Sequence, residues 1–278
     1  MTRIRSLAKD WMPPALVRSV QAMYGDGIRF DGPYASWGDA TANSTGYDAD
    51  DILARVLDAA LKVRRGEAAF ERDSVLFDRI DYVWPVTAGL MWAAARANGR
   101  LDVLDFGGSL GSSYFQHARL LAELAEVRWS VVEQPHFAQA GQAVLQDERL
   151  RFHESIGQCL AASRPNVIVL SSVLPYLADP LPVITELCSV GAAVIIVDKT
   201  IVNTSLRDRI YVQHVPASIY QASYPCRSMS ESALIASFGP AYGLECAFDS
   251  ADPPPLRQIK SQFRGFLLAS TGQPRGVQ

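Results

Sequence analysis

The fold of this chain is decided by residues 101–113, which read Leu-Asp-Val-Leu-Asp-Phe-Gly-Gly-Ser-Leu-Gly-Ser-Ser. An apolar run ends in Asp105, a glycine-rich turn follows, and a helical segment begins near Ser112. A strand, a tight glycine turn and a helix N-terminus together form a site that binds nucleotide-like ligands. The stretch therefore predicts a doubly wound α/β fold with a ligand at the carboxyl ends of its strands.

Two common glycine loops fit this turn poorly. A Walker phosphate loop requires a lysine after its last glycine, whereas Gly111 is followed by Ser112 and Ser113. A dinucleotide loop has the pattern Gly-x-Gly-x-x-Gly. Aligning its last two glycines with Gly108 and Gly111 puts Phe106 at the first position. Because only glycine turns tightly enough there, the sequence disfavours NAD as well as a nucleoside triphosphate.

The pattern that remains is Asp-x-Gly-x-x-x-Gly, formed by Asp105, Gly107 and Gly111, with Gly108 inside the turn. An acid at the strand end suits a ligand that carries an ammonium group, and the helix N-terminus suits a carboxylate. S-adenosylmethionine (SAM) carries both groups on its methionyl end. We therefore predict SAM as the cofactor, bound at Asp105, Phe106, Gly107, Gly108 and Gly111.

Polar residues at the ends of the next strands extend this predicted site. Glu133 lies 22 residues after Gly111, where the acid of a doubly wound sheet reaches the ribose hydroxyls. NAD sites share this feature, so Glu133 supports a ribose without choosing the cofactor. In a fold of this kind the third strand ends near the adenine of the cofactor, and the fourth strand ends near the methyl-transfer centre. The other predicted cofactor residues are Gln134, Ser155, Ile156, Ser171 and Ser172. Serines after the fourth strand disfavour a bound metal, and none is predicted.

Strands and helices alternate from residue 101 onward, which predicts parallel βαβ units with helices on both faces of the sheet. The predicted strands are 101–105, 128–133, 150–153, 166–171, 192–198, about 244–248 and 263–269. The predicted helices are 112–125, 136–146, 155–162, 180–189 and 230–238. A short proline-rich link joins the last two strands, so they are expected to form an antiparallel hairpin.

The N-terminal part lacks this alternation of strands and helices. We predict a helical and loop cap over residues 1–99, with helices at about 50–62, 67–80 and 82–98, and loop composition over 25–49. The SAM-binding domain then covers 100–278, with an insert at about 203–229. Residues 1–24 mix basic and apolar side chains, a pattern compatible with a packed helical arm or with weak peripheral membrane association.

Composition excludes several functional classes. The 278 residues carry a net charge of -3, which gives no basic field for nucleic acid. No apolar run approaches the ~20 residues that span a bilayer. The four cysteines are far apart and form no Cys-x-x-Cys, which argues against structural zinc and disulfides. We expect a cytoplasmic protein, for which a homo-oligomer is one compatible assembly.

Several blocks of the chain together resemble a family of bacterial class I SAM-dependent methyltransferases, often encoded beside surface-polysaccharide genes. The blocks are 46–48, 71–78, 105–111, 132–135, 170–177, 197–200 and 212–226. The resemblance runs from about residue 25 to 270. It implies a Rossmann-like fold with a C-terminal antiparallel hairpin, SAM as cofactor, and a role in polysaccharide biosynthesis.

Methylation of a hydroxyl requires a general base near the methyl group. Asp198, at the expected end of the fifth strand, is the first candidate, and His214 in the insert is the second. Tyr176, after the fourth strand, and Tyr211, Tyr220 and Tyr224 of the insert are expected to line the acceptor pocket. The charged run 71–78 is expected on a helix, from which one member could reach the active site.

The sequence thus predicts a SAM-dependent methyltransferase that O-methylates a sugar or glycan intermediate. Two other hypotheses stay open. One is an NAD-dependent oxidoreductase, disfavoured by Phe106 and by the lack of a Tyr-x-x-x-Lys pair after the fourth strand. The other is a non-catalytic SAM-binding scaffold subunit in glycan assembly.

Overall fold

The computed structural model describes residues 28–46, 50–72, 74–216, 222–250 and 257–272. The predictions for residues 1–24 and for Tyr220 lie outside these ranges. The N-terminal elements are β1 (Arg29–Tyr34), α1 (Trp37–Ala42), α2 (Asp50–Arg64), β2 (Phe70–Arg72), β3 (Val75–Phe77) and α3 (Trp84–Arg96). They are followed by β4 (Arg100–Phe106), α4 (Ser112–Leu121), β5 (Glu126–Val132), α5 (Pro135–Val144), β6 (Leu150–His153), α6 (Ile156–Ala162) and β7 (Val167–Ser171).

The C-terminal elements complete the sheet. They are a 3-10 turn (Leu174–Tyr176), α7 (Pro180–Ser189), β8 (Val194–Asn203), β9 (Arg209–Val215), β10 (Ala222–Ser230), α8 (Glu231–Ser237), β11 (Tyr242–Asp249), a second 3-10 turn (Arg257–Ile259) and β12 (Gln262–Ser270). Among the described residues, no helix combines the length and apolar character needed to cross a bilayer.

The central sheet runs in the order β6-β5-β4-β7-β8-β12-β11. The strands from β6 to β8 are parallel, whereas β12 pairs antiparallel with β8 and β11 antiparallel with β12. This confirms the predicted doubly wound, mostly parallel Rossmann-like sheet with a C-terminal antiparallel hairpin. The strand order reverses between β4 and β7, the point at which such sheets bind their ligands.

Alternate residues of the parallel strands enter cores on opposite faces of the sheet. Val103 and Val169 belong to the core on one face, and Leu104 and Leu170 to the core on the other. Trp129 is the largest of the fully buried side chains. Helices cover both faces, so both sets of side chains leave water, as a parallel sheet requires.

The insert and the N-terminal strand enlarge this sheet. Beyond its pairing with β12, the far end of β8 pairs with β10, which pairs antiparallel with β9, and β9 with β1. The expected loop over 25–49 is therefore partly wrong, since it contains β1 and α1. The boundary at residue 99 remains a prediction, although β1 of the cap region belongs to the main sheet.

The helix predicted over 67–80 is wrong. Its place is taken by the β2–β3 hairpin, in which Phe70 pairs with Phe77 and Arg72 with Val75. The two phenylalanine rings stack with centroids 5.8 Å apart, and Ser74 adopts φ 65° in the turn. Cross-strand aromatic packing of this kind stabilises a hairpin where the charged residues between the rings suggested a helical face.

Candidate ligand cavity

A cavity of about 1020 Å³ lies at the carboxyl ends of β4, β5, β6 and β7. The cap closes its other side through α1 and the β2–β3 hairpin. Most of the predicted site residues line it, namely Phe106, Gly107, Gly108, Glu133, Gln134, Ser155, Ile156, Ser171, Ser172, Tyr176 and Tyr224. Asp105, Gly111, Asp198, Tyr211 and His214 are not among the lining residues.

The glycine turn brings backbone to the cavity wall. Gly107 has φ 72° and donates its N–H to the Val132 carbonyl at 2.9 Å. A Cβ at Gly107 would lie 2.4 Å from Val173 Cγ2, so a side chain there would collide with the β7 turn. Gly111, at φ 87°, is the N-cap residue of α4. The left-handed conformation at both glycines explains why this turn uses them.

Asp105 lies behind the glycine turn and not in the cavity. Its side chain is fully buried, and its Oδ2 accepts a hydrogen bond from Trp129 Nε1 at 2.9 Å. A Cβ built on Gly108 would lie 2.5 Å from this carboxyl group. Burial raises the pKa of Asp105 to about 7. The predicted contact between Asp105 and a ligand ammonium is therefore not what the structure supports, because the loop backbone intervenes.

Glu133 follows β5 and lines the cavity, where the sequence places the ribose end. Burial, together with repulsion from the neighbouring Asp105 carboxyl, raises the pKa of Glu133 to about 7. Ser155 caps α6 by accepting the Gln158 N–H at 3.2 Å. Its neighbour Ile156, 5% exposed, adds an apolar contact to the same wall.

The end of β7 supplies the wall opposite the glycine turn. Ser172 has φ 57° and donates its N–H to the Asp198 carbonyl at 3.0 Å. This turn leads into the 3-10 segment that carries Tyr176 to the cavity.

Asp198 does not reach the cavity, because β8 does not end there. The strand continues to Asn203, and Asp198 is 2% exposed in its middle. Its Oδ1 accepts a hydrogen bond from the Ser250 hydroxyl at 2.9 Å. The next residue, Lys199, lines the cavity instead. The structure therefore gives no support to Asp198 as the general base.

His214 is excluded from the cavity by the alternation of β9. Its neighbours Gln213 and Val215 line the cavity, whereas His214 Nε2 lies 2.7 Å from Asp31 Oδ2 on β1. Tyr211 is 4% exposed and packs in a separate cluster with Ile201. The structure thus brings neither His214 nor Tyr211 to the cavity.

Gln213 is the residue of this strand that sequence reasoning missed. Tyr176 donates its hydroxyl to Gln213 Oε1 at 3.1 Å, and Gln213 Nε2 donates to the Tyr224 hydroxyl at 3.2 Å. The two rings meet edge to face with centroids 5.4 Å apart. Gln213 is 4% exposed. Adjacent residues of a strand point to opposite faces, so the sequence indicates that only one of Gln213 and His214 faces the cavity, and the pairing of β9 decides which.

Further lining residues come from the cap and from β12, and two of them belong to the run 71–78, from which the sequence expects one member to reach the active site. Trp37 of α1 and Phe263 of β12 add aromatic surface, and Glu71 and Arg72 of β2 add charge. Glu71 is 1% exposed. Among the described residues, no group of three or more His, Cys, Asp or Glu side chains is arranged to hold a metal ion.

No known family profile matches the chain, and no curated protein matches it. Solved structures do. The N-terminal domain of EvdMO1, in the presence of S-adenosylhomocysteine (SAH) and D-fucose, has a TM-score of 0.46 and 13% identity, and the match covers 77% of this chain and 96% of that one. A Burkholderia thailandensis 1,6-didemethyltoxoflavin-N1-methyltransferase with SAH bound has a TM-score of 0.41 and 17% identity, covering 87% and 93%.

A SAM-dependent methyltransferase from Clostridium acetobutylicum is a third such structure, with a TM-score of 0.44 and 11% identity, covering 80% of this chain and 99% of that one. With TM-scores below 0.5, these likenesses assign neither an activity nor a ligand to this chain.

Proposed function

We propose that this chain is a SAM-dependent methyltransferase that acts on a small molecule, by O-methylation of a sugar or glycan intermediate. The observation that carries the proposal is the composition of the cavity at the carboxyl ends of the parallel strands, where the strand order reverses. One side of the cavity combines the glycine turn, the acid Glu133 at a strand end and the apolar Ile156. The other side, built from α1, the insert and β12, combines aromatic rings with a hydrogen-bonded polar network.

The sheet side has the chemistry that SAM requires. The glycine turn and the first residues of the ten-residue helix α4 present backbone N–H groups to an anionic group such as a carboxylate. Glu133 provides two acceptor oxygens for the ribose hydroxyls, and Ile156 provides an apolar surface for the adenine. When bound there, SAM would supply a methyl group on a positively charged sulfur.

The side built from α1, the insert and β12 has the chemistry that suits a sugar. Trp37, Tyr176, Tyr224 and Phe263 provide ring surface, and the Gln213 amide, fixed by both tyrosine hydroxyls, provides ordered polarity. Binding sites for small molecules combine such apolar walls with a few well-placed polar groups. The net charge of -3 supports a small-molecule or glycan acceptor over nucleic acid.

The cavity would act by alignment and by exclusion of water. Methyl transfer is an in-line displacement, so the rate depends on holding the acceptor oxygen in line with the donor. The aromatic rings hold the acceptor. Apolar lining residues such as Val173 and Leu177 exclude water from the space between the proposed SAM site and the acceptor. Because Asp198 and His214 lie outside the cavity, we do not propose either of them as the base.

The alternatives have less support. Phe106 lines the cavity at the position where a dinucleotide loop needs its first glycine, which disfavours an NAD-dependent oxidoreductase. A non-catalytic SAM-binding scaffold would not need the ordered Tyr176–Gln213–Tyr224 network. Cytoplasmic location, a polysaccharide pathway and a homo-oligomer belong to the proposal as well.

Incubation with methyl-labelled SAM and a panel of sugar nucleotides and oligosaccharides tests the proposal. We expect label in at least one hydroxylated acceptor, with SAH formed in equal amount. Binding of SAH without methylation of any acceptor, in the panel or in a cell lysate, would favour the scaffold. Absence of both binding and transfer would overturn the proposal.

A further inference from the structure

We propose that α1 forms a sugar-ring subsite for the methyl acceptor, in which Trp37 stacks on the ring, and that Arg227 is the positioning residue that orients Trp37. This inference rests on the proposed function, because it names the subsite that would take the acceptor. It commits the acceptor to a cyclic sugar, a ligand with one apolar face and several hydroxyl donors.

One side of the α1 segment forms part of the cavity wall. Trp37 and Thr41 both line the cavity, and because they are four residues apart on a helix they share one side of it. Ser44 lines the cavity from the turn that follows α1. This wall belongs to the side of the cavity that the proposed function gives to the acceptor, and it combines one large ring with two hydroxyl groups.

The two hydroxyl groups of this wall offer acceptor oxygens to a ligand. Thr41 donates its hydroxyl hydrogen to the Trp37 carbonyl at 2.9 Å, and Ser44 donates its own to the Thr41 carbonyl at 2.9 Å. A hydroxyl group has one donor hydrogen and two lone pairs, so with the hydrogen committed to the backbone each oxygen interacts with a ligand as an acceptor. The hydroxyl groups of a sugar are donors of the matching kind.

Arg227 of β10 lies over the Trp37 ring. The central carbon of its guanidinium is 5.6 Å from the centre of the ring, which is within the range of a cation–π contact. Arg227 is not among the described residues that line the cavity, so its guanidinium does not separate the ring from the cavity. Arg227 therefore supports the ring from outside the cavity, and the ring surface toward the cavity is left for a ligand.

Hydrogen bonds hold the guanidinium in this position. Nη2 donates to the Ala178 carbonyl at 2.7 Å, and Nη1 donates to the Asp208 carboxylate at 3.3 Å. Asp208 in turn accepts the Ser230 N–H at 2.8 Å. With 15% of its side chain exposed, Arg227 cannot turn away without breaking these bonds. A stacking residue binds more tightly when its orientation is set before the ligand arrives.

The other end of the α1 segment is fastened to the same strand. The Gly46 N–H donates to the Ser223 carbonyl at 2.9 Å, and the Thr45 N–H donates to the Ser223 hydroxyl at 2.9 Å. Ser223 and Arg227 are four residues apart on β10, so their side chains point to the same face of the strand. The α1 segment is thus attached to β10 at both ends, which makes it a fixed wall.

A ring beside acceptor oxygens matches a pyranose. The C–H bonds on one face of a sugar ring carry partial positive charge and pack against the negative face of an aromatic ring, while the hydroxyl groups project from the edge. An open-chain polyol has the same hydroxyl groups but no such face, and a flat aromatic acceptor has the face but few donors. The α1 wall therefore favours a ring sugar over both.

Saturation-transfer NMR on the SAH-loaded protein tests the subsite, with the methyl pyranosides of glucose, galactose and mannose as probes and sorbitol as the open-chain comparison. We expect at least one pyranoside to receive saturation on its ring C–H protons and sorbitol to receive none. Trp37→Ala should weaken that pyranoside by about tenfold or more, with SAH affinity, measured by calorimetry, unchanged.

The Arg227 variants test its positioning role. Arg227→Gln removes the positive charge over the ring and should weaken the pyranoside by about threefold to tenfold. Arg227→Lys keeps that charge and should retain most of the affinity. Equal losses in the two variants, or a parallel loss of SAH affinity, would show that Arg227 only supports the fold and would overturn its assignment.

Trp84→Ala is the matched control for Trp37→Ala. Trp84 is 64% exposed at the start of α3 and is not among the described lining residues, so both affinities should stay as in the wild type. Unchanged pyranoside affinity in Trp37→Ala, or no pyranoside binding to the SAH-loaded wild type, would overturn the subsite and leave the proposed cofactor in place. If the wild type does not bind SAH, the proposed function itself fails.

Discussion

Trp129 Nε1 donates a 2.9 Å hydrogen bond to Asp105 Oδ2 beneath the glycine turn. Both residues are fully buried, so the acid supports the turn from behind while Gly108 packs on its carboxyl group. The glycine turn therefore owes its shape to a buried carboxyl group as well as to its glycines.

The stability of the fold should fall as the pH rises from about 4 to 7. Asp105 has a pKa of about 7 in the folded protein against an ordinary value of 3.8, so across this range the folded state holds a proton that the unfolded state has lost. The unfolding free energy then decreases with pH, by about 1–4 kcal/mol for this residue.

Asp105→Asn should flatten that dependence, because the amide oxygen still accepts from Trp129 and does not titrate. Urea unfolding at a series of pH values measures it. Glu133, whose pKa is also raised to about 7, contributes in the same direction, so a residual slope is expected in the single variant. An identical slope in wild type and Asp105→Asn would contradict the role given to Asp105.

SAH affinity should rise with pH up to about 7 and then level off. Ribose hydroxyls donate to an ionised Glu133, and below its pKa of about 7 binding must first remove a proton. The affinity should fall by up to about tenfold for each pH unit below that value. Glu133→Gln should bind more weakly at pH 8 and show little pH dependence. Calorimetry between pH 5.5 and 8.5 tests this. The same pH dependence of SAH affinity in the variant and the wild type would show that Glu133 does not bind the ribose.

Gly108→Ala should disturb the turn, because its Cβ would lie 2.5 Å from the Asp105 carboxyl. We expect a loss of roughly 1–3 kcal/mol of unfolding free energy, as for overpacking in a core, together with a marked loss of SAH binding. Gly157→Ala is the control. Gly157 lies in α6 with its nearest contact at 3.9 Å, so alanine there should be neutral or stabilise by up to about 1 kcal/mol. Similar effects of the two variants on thermal unfolding would count against this packing.

Gln213→Leu should separate cofactor binding from acceptor use. Leucine keeps the volume but removes the hydrogen bonds to Tyr176 and Tyr224, so kcat/KM for the acceptor should fall by roughly tenfold or more while SAH affinity stays the same. His214→Gln breaks only the contact with Asp31 at the sheet edge and should leave both unchanged. If His214→Gln abolished turnover and Gln213→Leu did not, the assignment of strand faces would be wrong.

The sequence predicts the central sheet well because its pattern is local. The strand at β4, the glycine turn and the helix α4 follow one another without interruption, and the strand-end acid Glu133 has a fixed separation from the turn. The predicted α7, residues 180–189, has the observed bounds. Each of these depends on periodicity and turn chemistry within about twenty residues.

The parts that the sequence misses depend on distant contacts. Thr45 and Ser223 are 178 residues apart, yet the Thr45 N–H donates to the Ser223 hydroxyl at 2.9 Å. No local sequence pattern predicts this contact between the cap and the insert. No local pattern predicts the strand β1 either, because it pairs with β9, which lies far along the chain. Glu71 reaches the cavity only because the hairpin folds back against α4.

Orientation is the second limit. An acid at a strand end can face the ligand or lie behind the loop, and the spacing of Asp105 does not distinguish the two. For the pair Gln213 and His214 the sequence gives two polar neighbours on one strand, and only the pairing of β9 decides which enters the cavity. His214 is the better base of the two, but the pairing of β9 places Gln213 in the cavity wall and turns His214 away from it.

The central claim is that the cavity binds SAM, and calorimetry with SAM, SAH and NAD on the wild-type protein tests it most directly. We expect saturable one-to-one binding of SAM and SAH and no binding of NAD, because Phe106 replaces the first glycine of a dinucleotide turn. Binding of NAD without binding of SAM or SAH would contradict it.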